Sequence, residues 1–261
     1  IDNNVVAYTR YGDGIYAHDS SGITVAHNLL LANADWGIFM RVVTDRKAYA
    51  LNSSNHALAL VETSNERIVD NLLIDNYRGA VSLPPHWSRS QNNVSDFNVF
   101  ATGSQYQWGG VFDPVFSYDN CEKRISPEEL RRAVFEHLQS LPRDRWPSSG
   151  LWPEIQLLAL DQWRAISGFE QHSVTVKFKK PSSINRNSLM LSFTVEEFPW
   201  KMQNIPSVDG VDRDFFGQPL SQQNPVPGPF QNLHQGENNL LLLSGAFAGK
   251  ISVNTTREDV Q

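Results

Sequence analysis

Aromatic and ionisable side chains alternate along two short glycine-led segments near the start of the chain, which open at Gly14 and Gly37. Successive side chains of a β-strand point to opposite faces, so a strand that turns Ile15 or Ile38 inward turns every second side chain outward. The outward side chains are then Tyr16, His18, Phe39 and Arg41. An aromatic pair beside ionisable groups suits a sugar, because a pyranose has an apolar face and a rim of hydroxyls. We therefore predict a carbohydrate-binding groove on this face.

Carboxylates close to both segments offer a second kind of chemistry. Two carboxylates about 5 to 9 Å apart can serve as the acid and the nucleophile or base of a glycoside hydrolase. The pair His86-Trp87 follows two prolines, and we predict that it forms a wall of the groove. The candidate catalytic residues are therefore His18, Asp19, Asp35, Arg41 and Glu62. The candidate substrate-binding residues are Asp13, Tyr16, Phe39, His86 and Trp87.

The elements that position these residues repeat along the chain. An asparagine recurs through the first hundred residues at intervals of 19 to 27, and at four of the five positions two apolar residues follow it. The repeats are at Asn4, Asn28, Asn71 and Asn98, with Asn52 in register between the second and the third. Short apolar segments occur between them, around Ile15, Ile38, Leu58 and Val81. The chain therefore contains a repeating unit of very short strands.

A unit of this length suits one coil of a right-handed parallel β-helix, in which coils stack at about 4.8 Å. Asparagine suits the corner of a coil, because it tolerates left-handed backbone and its amide can hydrogen-bond to the same amide one coil away. The alternative, a β-sandwich, would use Asn-Gly turns between strands, and the sequence contains none. We predict a mainly β fold with parallel coils over residues 1–120.

Three features of the first half resemble parallel β-helix proteins that act on carbohydrates, the pectate-lyase-like superfold. They are Asp13-Gly14-Ile15-Tyr16, the asparagine corners, and Val94-Ser95-Asp96-Phe97-Asn98-Val99-Phe100. The segment Phe112-Asp113-Pro114-Val115-Phe116 resembles the one with which many such chains leave the coils. The resemblance implies a protein that processes a polysaccharide or oligosaccharide.

The start of the chain bears on its partners. In the repeat pattern Ile1 already lies inside a coil, with no capping helix before it. An uncapped coil exposes apolar core and strand edges. We therefore expect an N-terminal portion, or a second chain, to cover the open end of these C-terminal coils.

Glycoside hydrolysis is the activity that the fold resemblance favours first. The segment 13–18 resembles the Asp-Gly-Ile-Trp-x-Asp strand of β-xylosidases of the parallel β-helix type. His18 stands where that family has a catalytic aspartate, and Arg41 stands where it has a glutamate one coil later. A hydrolase built here would therefore depend on the other nearby carboxylates.

Uronate chemistry is the first alternative. The segment 14–19 is similar to the Gly-Ile-Asp-Pro-His-Asp pattern of alginate C5-epimerases and related lyases, which carry an arginine on the following coil. His18 and Asp19 match that pattern, and Arg41 stands one residue early. The resemblance implies that Arg41 neutralises a uronate carboxylate while His18 or Tyr16 abstracts the C5 proton. The second alternative is a solenoid that binds carbohydrate without catalysis.

Two helices are predicted in the second part of the chain, residues 121–261. Ser126-Pro127-Glu128-Glu129 provides an N-cap, a first-turn proline and a capping-box glutamate, and the apolar stripe that follows ends at Pro142. A shorter helix is predicted over residues 160–167, where Gly168 closes it.

The rest of this part is predicted to be β structure and an irregular strap. Apolar residues alternate over 174–178 and again over 189–195, which indicates strands with one buried face. The proline-rich stretch 199–236 is typical of a long wrapping strap. Last strands are predicted at 240–243 and 247–253. We predict a mixed α/β tail with a small antiparallel β cap on the coils, and the alternative is an independent β-sandwich.

Charge and composition exclude several ligand classes. Lys and Arg number 22 against 28 Asp and Glu, a formal net charge of −6, so no basic field exists for nucleic acid. The longest apolar run, 240–243, is far too short to span a membrane. The single cysteine, Cys121, excludes a multi-cysteine metal site, and no cofactor motif occurs. We predict a secreted or periplasmic protein without metal or cofactor.

Overall fold

The computed structural model describes residues 1–41, 47–49, 58–60, 63–83, 91–103, 116–118, 160–185, 187–196, 205–221 and 225–242. Within these ranges the secondary structure is almost entirely β, with sixteen strands and one helix, α1 (Leu160–Ser167). No helix in the described part of the chain has the length and apolar character that crossing a membrane requires. The prediction of a mainly β fold is therefore confirmed.

The first thirteen strands are three to six residues long. They are β1 (Val5–Ala7), β2 (Ile15–His18), β3 (Thr24–Ala26), β4 (Leu29–Leu31), β5 (Trp36–Arg41), β6 (Lys47–Tyr49), β7 (Leu58–Leu60), β8 (Arg67–Val69), β9 (Leu72–Ile74), β10 (Gly79–Leu83), β11 (Val94–Asp96), β12 (Val99–Gly103) and β13 (Phe116–Tyr118). Three strands follow helix α1, namely β14 (Val174–Asn185), β15 (Met190–Val195) and β16 (Gly236–Leu241).

Most of these strands belong to three sheets with parallel pairing. The three-stranded sheet has the order β11-β8-β3, the four-stranded sheet β13-β10-β5-β2, and the seven-stranded sheet β1-β4-β9-β12-β14-β15-β16. Each of the runs β3–β4–β5, β8–β9–β10 and β11–β12–β13 gives one strand to each sheet, in the same order. We call such a run a unit. The predicted parallel repeat is present.

The strands β4, β9 and β12 of the seven-stranded sheet carry side chains that are buried on both faces. Leu30, Leu73 and Phe100 lie in register across β4, β9 and β12 and pack into the cluster between the three sheets. Their neighbours on the other face, such as Leu29 and Leu72, pack against residues of β15 and of the later chain. Burial on both faces explains the continuous apolar runs of these strands.

Asparagine side chains join the units at the corner between the three-stranded and the seven-stranded sheets. The amide nitrogen of Asn4 donates to Oδ1 of Asn28, that of Asn28 to Asn71, and that of Asn71 to Asn98, each at 3.0 Å. Each Oδ1 also accepts the backbone N–H of the preceding asparagine in the series. We call this series the asparagine ladder. It confirms the predicted corner at four of its five positions.

The backbone turns sharply just before each member of the ladder. Asn3, His27, Asp70 and Phe97 have φ between 53 and 57°, in the left-handed region. A corner of this shape removes backbone groups from the regular strand pairing, and buried groups need other partners. The ladder supplies them, since Asn71 Nδ2 also donates to the carbonyls of Val25 and Val69 at 2.9 and 3.0 Å.

A buried carboxylate ends the ladder. Asn98 Nδ2 donates to both carboxylate oxygens of Glu170, at 3.0 and 3.3 Å, and the hydroxyls of Ser95 and Ser173 donate to the same carboxylate. The backbone N–H of Asn98 donates to Ser173 Oγ at 2.8 Å. Burial raises the pKa of Glu170 from 4.5 to about 7, while these hydrogen bonds act in the opposite direction. Glu170 and Ser173 thus take the place of a fifth asparagine.

The predicted unit between Asn28 and Asn71 is wrong. Asn28 bonds directly to Asn71, and β5 pairs directly with β10, so no unit intervenes. The segment Leu58–Leu60 instead pairs antiparallel with β6, and Leu58 is 54% exposed. Leu58 thus satisfied the repeat pattern without facing the core. Asn52 itself lies outside the described residues.

The chain after α1 extends the seven-stranded sheet. Helix α1 begins and ends where predicted, and Gly168 follows it with φ 72°. Strand β14 pairs in parallel with β12, and β15 adds an antiparallel strand, both where the alternation predicted strands. Strand β16 adds a second antiparallel strand and overlaps the start of the one predicted at 240–243. The predicted helix at 126–142, the segment 112–115 and the strand at 247–253 lie outside the described residues.

The proline-rich stretch has little regular structure and lies on the corner of the ladder. We call its described parts, 205–221 and 225–235, the strap. The N–H of Gly228 donates to the carbonyl of Asp70 at 2.6 Å, and the carbonyl of Arg213 accepts from Asn3 Nδ2 at 2.7 Å. Val208 packs on Ala26 and Val69. The described segments of this stretch therefore contact the corner of the ladder.

The hydrogen bonds of the asparagine ladder predict that replacing Asn71 greatly lowers the free energy of unfolding. Asn71→Ala removes the acceptor of the buried Asn28 N–H and the donor to the carbonyls of Val25 and Val69, and each unsatisfied buried group costs about 1–3 kcal/mol. We expect a loss of at least about 3 kcal/mol in the free energy of unfolding, measured by urea denaturation. Asn232→Ala, at an exposed position, is the control. Equal losses in the two variants would contradict a structural role for the ladder.

Glu170 predicts a pH dependence of stability. Its folded pKa of about 7 lies above the ordinary 4.5, so the folded chain keeps a proton that the unfolded chain has released. Its contribution is complete below pH 4.5 and decreases as the pH rises to about 7. Glu170→Gln should remove this decrease, because a glutamine stays neutral. Unfolding midpoints at several pH values test this, with the exposed Glu237→Gln as control; an unchanged pH profile would contradict the assignment.

Candidate functional site

The outer face of β2 and β5 carries an aromatic pair. The two strands are in parallel register, which sets Tyr16 beside Phe39. Their ring centroids are 5.3 Å apart, and half of the Tyr16 side chain is exposed. Ile15 and Ile38 are turned into the core, so the predicted alternation of inner and outer side chains is correct.

Ionisable side chains lie two residues further along the same strands. His18 is in register with Arg41, and its ring stacks on Tyr16 with centroids 5.7 Å apart. Asp19 follows with φ 51°, so the chain turns and brings its carboxylate back to His18, with Oδ2 3.4 Å from Nδ1. The Asp19 N–H donates to the carbonyl of Arg41 at 2.8 Å. The structure therefore brings five predicted site residues together.

The register of Tyr16 and Phe39 continues across the four-stranded sheet, although the next side chain in it, Ser82, is buried. Ser82 of β10 is in register with Phe39, and Ser117 of β13 is in register with Ser82. The repeat pattern had instead placed the segment around Leu58 between β5 and β10, which is wrong because β5 pairs directly with β10 and β7 pairs antiparallel with β6. Glu62 lies outside the described residues, as do His86 and Trp87.

Glycines at the start of these strands allow a close approach of backbone and side chain. A Cβ on Gly14 would lie 2.7 Å from the carbonyl oxygen of Gly37 and 2.8 Å from Asn33 Nδ2. A Cβ on Gly37 would lie 2.8 Å from Asn76 Nδ2. Asn33 and Asn76 are hydrogen-bonded to each other at 2.8 Å and form a second, shorter ladder that we did not predict. They stand five residues after Asn28 and Asn71, a spacing that the sequence already showed.

Asp13 and Asp35 occupy the opposite end of the same strands. Asp13 Oδ1 accepts the N–H of Trp36 at 2.9 Å. Asp35 pairs with Arg78 at 3.2 Å, and the Arg78 guanidinium lies over the Trp36 ring at 5.9 Å. Burial raises the pKa of Asp13, and the charge of Asp35 adds to that effect. The predicted carboxylates are thus divided between the two ends of the face.

A histidine–aspartate pair that we did not predict lies at the corner of the ladder. His172 Nδ1 is 2.7 Å from Asp96 Oδ2, and the His172 ring stacks on Phe97 with centroids 4.8 Å apart. The His172 side chain is 62% exposed. The two partners are 76 residues apart in the sequence, so no local pattern links them.

A second unpredicted pair is buried beneath the strap. His27 Nε2 lies 3.7 Å from Asp70 Oδ2, and neither side chain reaches solvent. Burial lowers the pKa of His27 and raises that of Asp70 to about 8. Neither carboxylate oxygen of Asp70 accepts a hydrogen bond from any residue that the structure describes. The pair therefore belongs to the packing under the strap.

Comparison with known proteins gives no further assignment. No protein-family model, curated protein or solved structure matches this chain. Among the described residues, no group of three or more His, Cys, Asp or Glu side chains is arranged to hold a metal ion. The chemistry of the site therefore has to be argued from the face of β2 and β5.

Proposed function

We propose that the three parallel sheets are the faces of a right-handed parallel β-helix. The repeated strand order of the units and the ladder at one corner support this arrangement. Right-handed winding is the hand that parallel crossover connections adopt. A β-helix presents continuous sheet faces along its axis, and such a surface can bind an extended polymer.

On this fold, the function that the site supports best is the processing of a uronate-containing polysaccharide by proton abstraction. One observation carries the proposal: the adjacent rings of Tyr16 and Phe39 lie two residues from the aligned pair of His18 and Arg41. The rings offer a platform for a sugar ring, and the guanidinium offers a partner for a carboxylate. The imidazole beside them offers a base.

The proposed reaction begins with Arg41 pairing with the uronate carboxylate, which makes the C5 proton more acidic. His18, oriented by Asp19, accepts that proton while the C–H electron pair moves into the carboxylate as an enolate. Return of a proton to the opposite face of C5 gives the epimer. Formation of a C4=C5 double bond, with departure of the C4 oxygen as a protonated alcohol, gives elimination. Tyr16, stacked on His18, is the second proton-transfer group in either outcome.

Glycoside hydrolysis is the second candidate, and one observation favours it. Burial raises the pKa of Asp13, which is the condition of a general acid, and Asp35 is the neighbouring carboxylate. A hydrolase would therefore use the start of β2 and β5 rather than their end. The uronate-containing polysaccharide of the first proposal and the polysaccharide that a hydrolase would cleave are both extracellular polymers. We therefore propose a secreted or periplasmic protein.

His18→Ala tests the first proposal. General acid–base catalysis contributes roughly 10²–10⁴-fold, so we expect turnover of alginate or polygalacturonate to decrease by about that factor. The full chain is assayed for new reducing ends, for ultraviolet absorbance of an unsaturated uronate, and by NMR for inversion at C5. His172→Ala is a matched control, because it also removes a histidine paired with an aspartate.

The same assays separate the alternatives. New reducing ends from xylan without ultraviolet absorbance, lost in Asp13→Asn and kept in His18→Ala, would establish hydrolysis and overturn the uronate proposal. Polymer binding without any turnover would leave a carbohydrate-binding solenoid. Equal turnover in His18→Ala and wild type would exclude His18 as the base.

A further inference from the structure

Two exposed tyrosines mark the turn between the seven-stranded and the four-stranded sheets. Tyr11 is 82% exposed and Tyr77 is 65% exposed, more than any other large hydrophobic side chain that the structure describes. They belong to the first and third of three stacked turns. Exposed aromatic rings at related positions of a repeat are a feature of surfaces that bind ligands with flat apolar faces.

Backbone hydrogen bonds fix the three turns to one another. The N–H groups of Ala34 and Asp35 donate to the carbonyls of Thr9 and Gly12, which flank Tyr11, both at 3.1 Å. The N–H of Tyr77 donates to the carbonyl of Asn33 at 2.9 Å. Stacking at about 4.8 Å per step separates the backbones at Tyr11 and Tyr77 by roughly 10 Å. The two rings are therefore held on a rigid base.

Planar charged groups accompany the rings. The Arg10 guanidinium lies over Tyr11 at 5.4 Å from the ring centroid. Arg78 follows Tyr77 and pairs with Asp35 at 3.2 Å. Arginine and aspartate side chains form hydrogen bonds of the kind that sugar hydroxyls accept and donate. We call the group Arg10, Tyr11, Tyr77 and Arg78 the tyrosine ridge.

The ridge leads directly into the face described above. Gly12 and Asp13 connect Tyr11 to β2, and Arg78 immediately precedes β10. A polymer lying on Tyr16 and Phe39 can therefore continue across the turn onto the ridge. Aspartates in the same turns balance the positive charge of the two arginines, so the ridge is not a basic patch. Ring stacking rather than charge is therefore its main contribution to binding a polymer.

From these observations we propose that the tyrosine ridge is an accessory binding surface for the polysaccharide that occupies the face of β2 and β5. This inference rests on the proposed function, because it takes its ligand from that site. It adds an affinity for long chains that short oligosaccharides do not share. The chemical step stays with His18 and Arg41.

The test measures the dissociation constant of the full chain for alginate and polygalacturonate and for their oligosaccharides of increasing length. Loss of two aromatic contacts is expected to weaken binding of the polymers roughly ten-fold in the Tyr11→Ala/Tyr77→Ala variant. Binding of the shortest oligosaccharides should not change. The Tyr11→Phe/Tyr77→Phe variant keeps the rings and should retain most of the affinity.

Two controls separate the ridge from other effects. Leu241→Ala removes an exposed apolar side chain on the far edge of the seven-stranded sheet and should not alter polymer binding. Added salt should leave the difference between wild type and the double alanine variant unchanged, because that difference arises from stacking. A difference abolished by salt would overturn the stacking role.

The outcomes distinguish this inference from the proposed function. Wild-type polymer affinity in the double alanine variant, or no polymer binding by wild type, would overturn the inference. Turnover that depends on His18 would in that case still support the proposed function. Weakened polymer binding in the double alanine variant, with no turnover by any chain, would support the ridge and contradict the proposed reaction.

Discussion

The asparagine ladder is the interaction on which the other features of this structure depend. Each corner places left-handed backbone beside a buried strand, and buried amides without partners would make that turn unfavourable. The Asn71 side chain accepts a hydrogen bond from Asn28 and donates to the Asn98 side chain and to the carbonyls of Val25 and Val69. Because one side chain bonds units before and after it, the ladder sets the register of adjacent units. That register in turn aligns strands β2 and β5 on the neighbouring face.

The end of the ladder explains how the later chain joins the sheets. A ladder of amides needs a final acceptor, and Glu170 supplies one that Asn98 can reach with a single nitrogen. The segment carrying Glu170 is anchored from α1, because Arg164 donates to the carbonyls of Glu170 and Ser173. Strand β14 starts directly after Ser173 and continues the seven-stranded sheet. A buried carboxylate is costly, and four hydrogen bonds from three side chains offset that cost.

Much of this architecture could be predicted from the sequence, namely those features that depend on residues close together in the chain. Apolar pairs after asparagine marked four true corners, and the glycine after residues 160–167 marked the end of α1. The error at Asn52 and Leu58 arose because a repeat pattern does not show which copies are adjacent, and a hairpin can contain the same residue types. The partners Asp96 and His172 meet only through the sheet pairing of β12 and β14. Such contacts depend on tertiary structure and have no local signal.

The candidate site could also be predicted in part from the sequence. Alternation along β2 and β5 predicted which side chains face outward, and parallel register then aligned His18 with Arg41. The order of residues already indicated that the carboxylates divide between two ends, because Asp13 and Asp35 precede the strands and Asp19 follows β2. Alternation could not reveal the turns held by Asn33 and Asn76. The division has a chemical consequence. Among the described residues a carboxylate pair is present only at the start of the strands, whereas the end of the strands combines a histidine, the carboxylate beside it and an arginine. Proton abstraction beside an anionic group is the chemistry that this second combination suits.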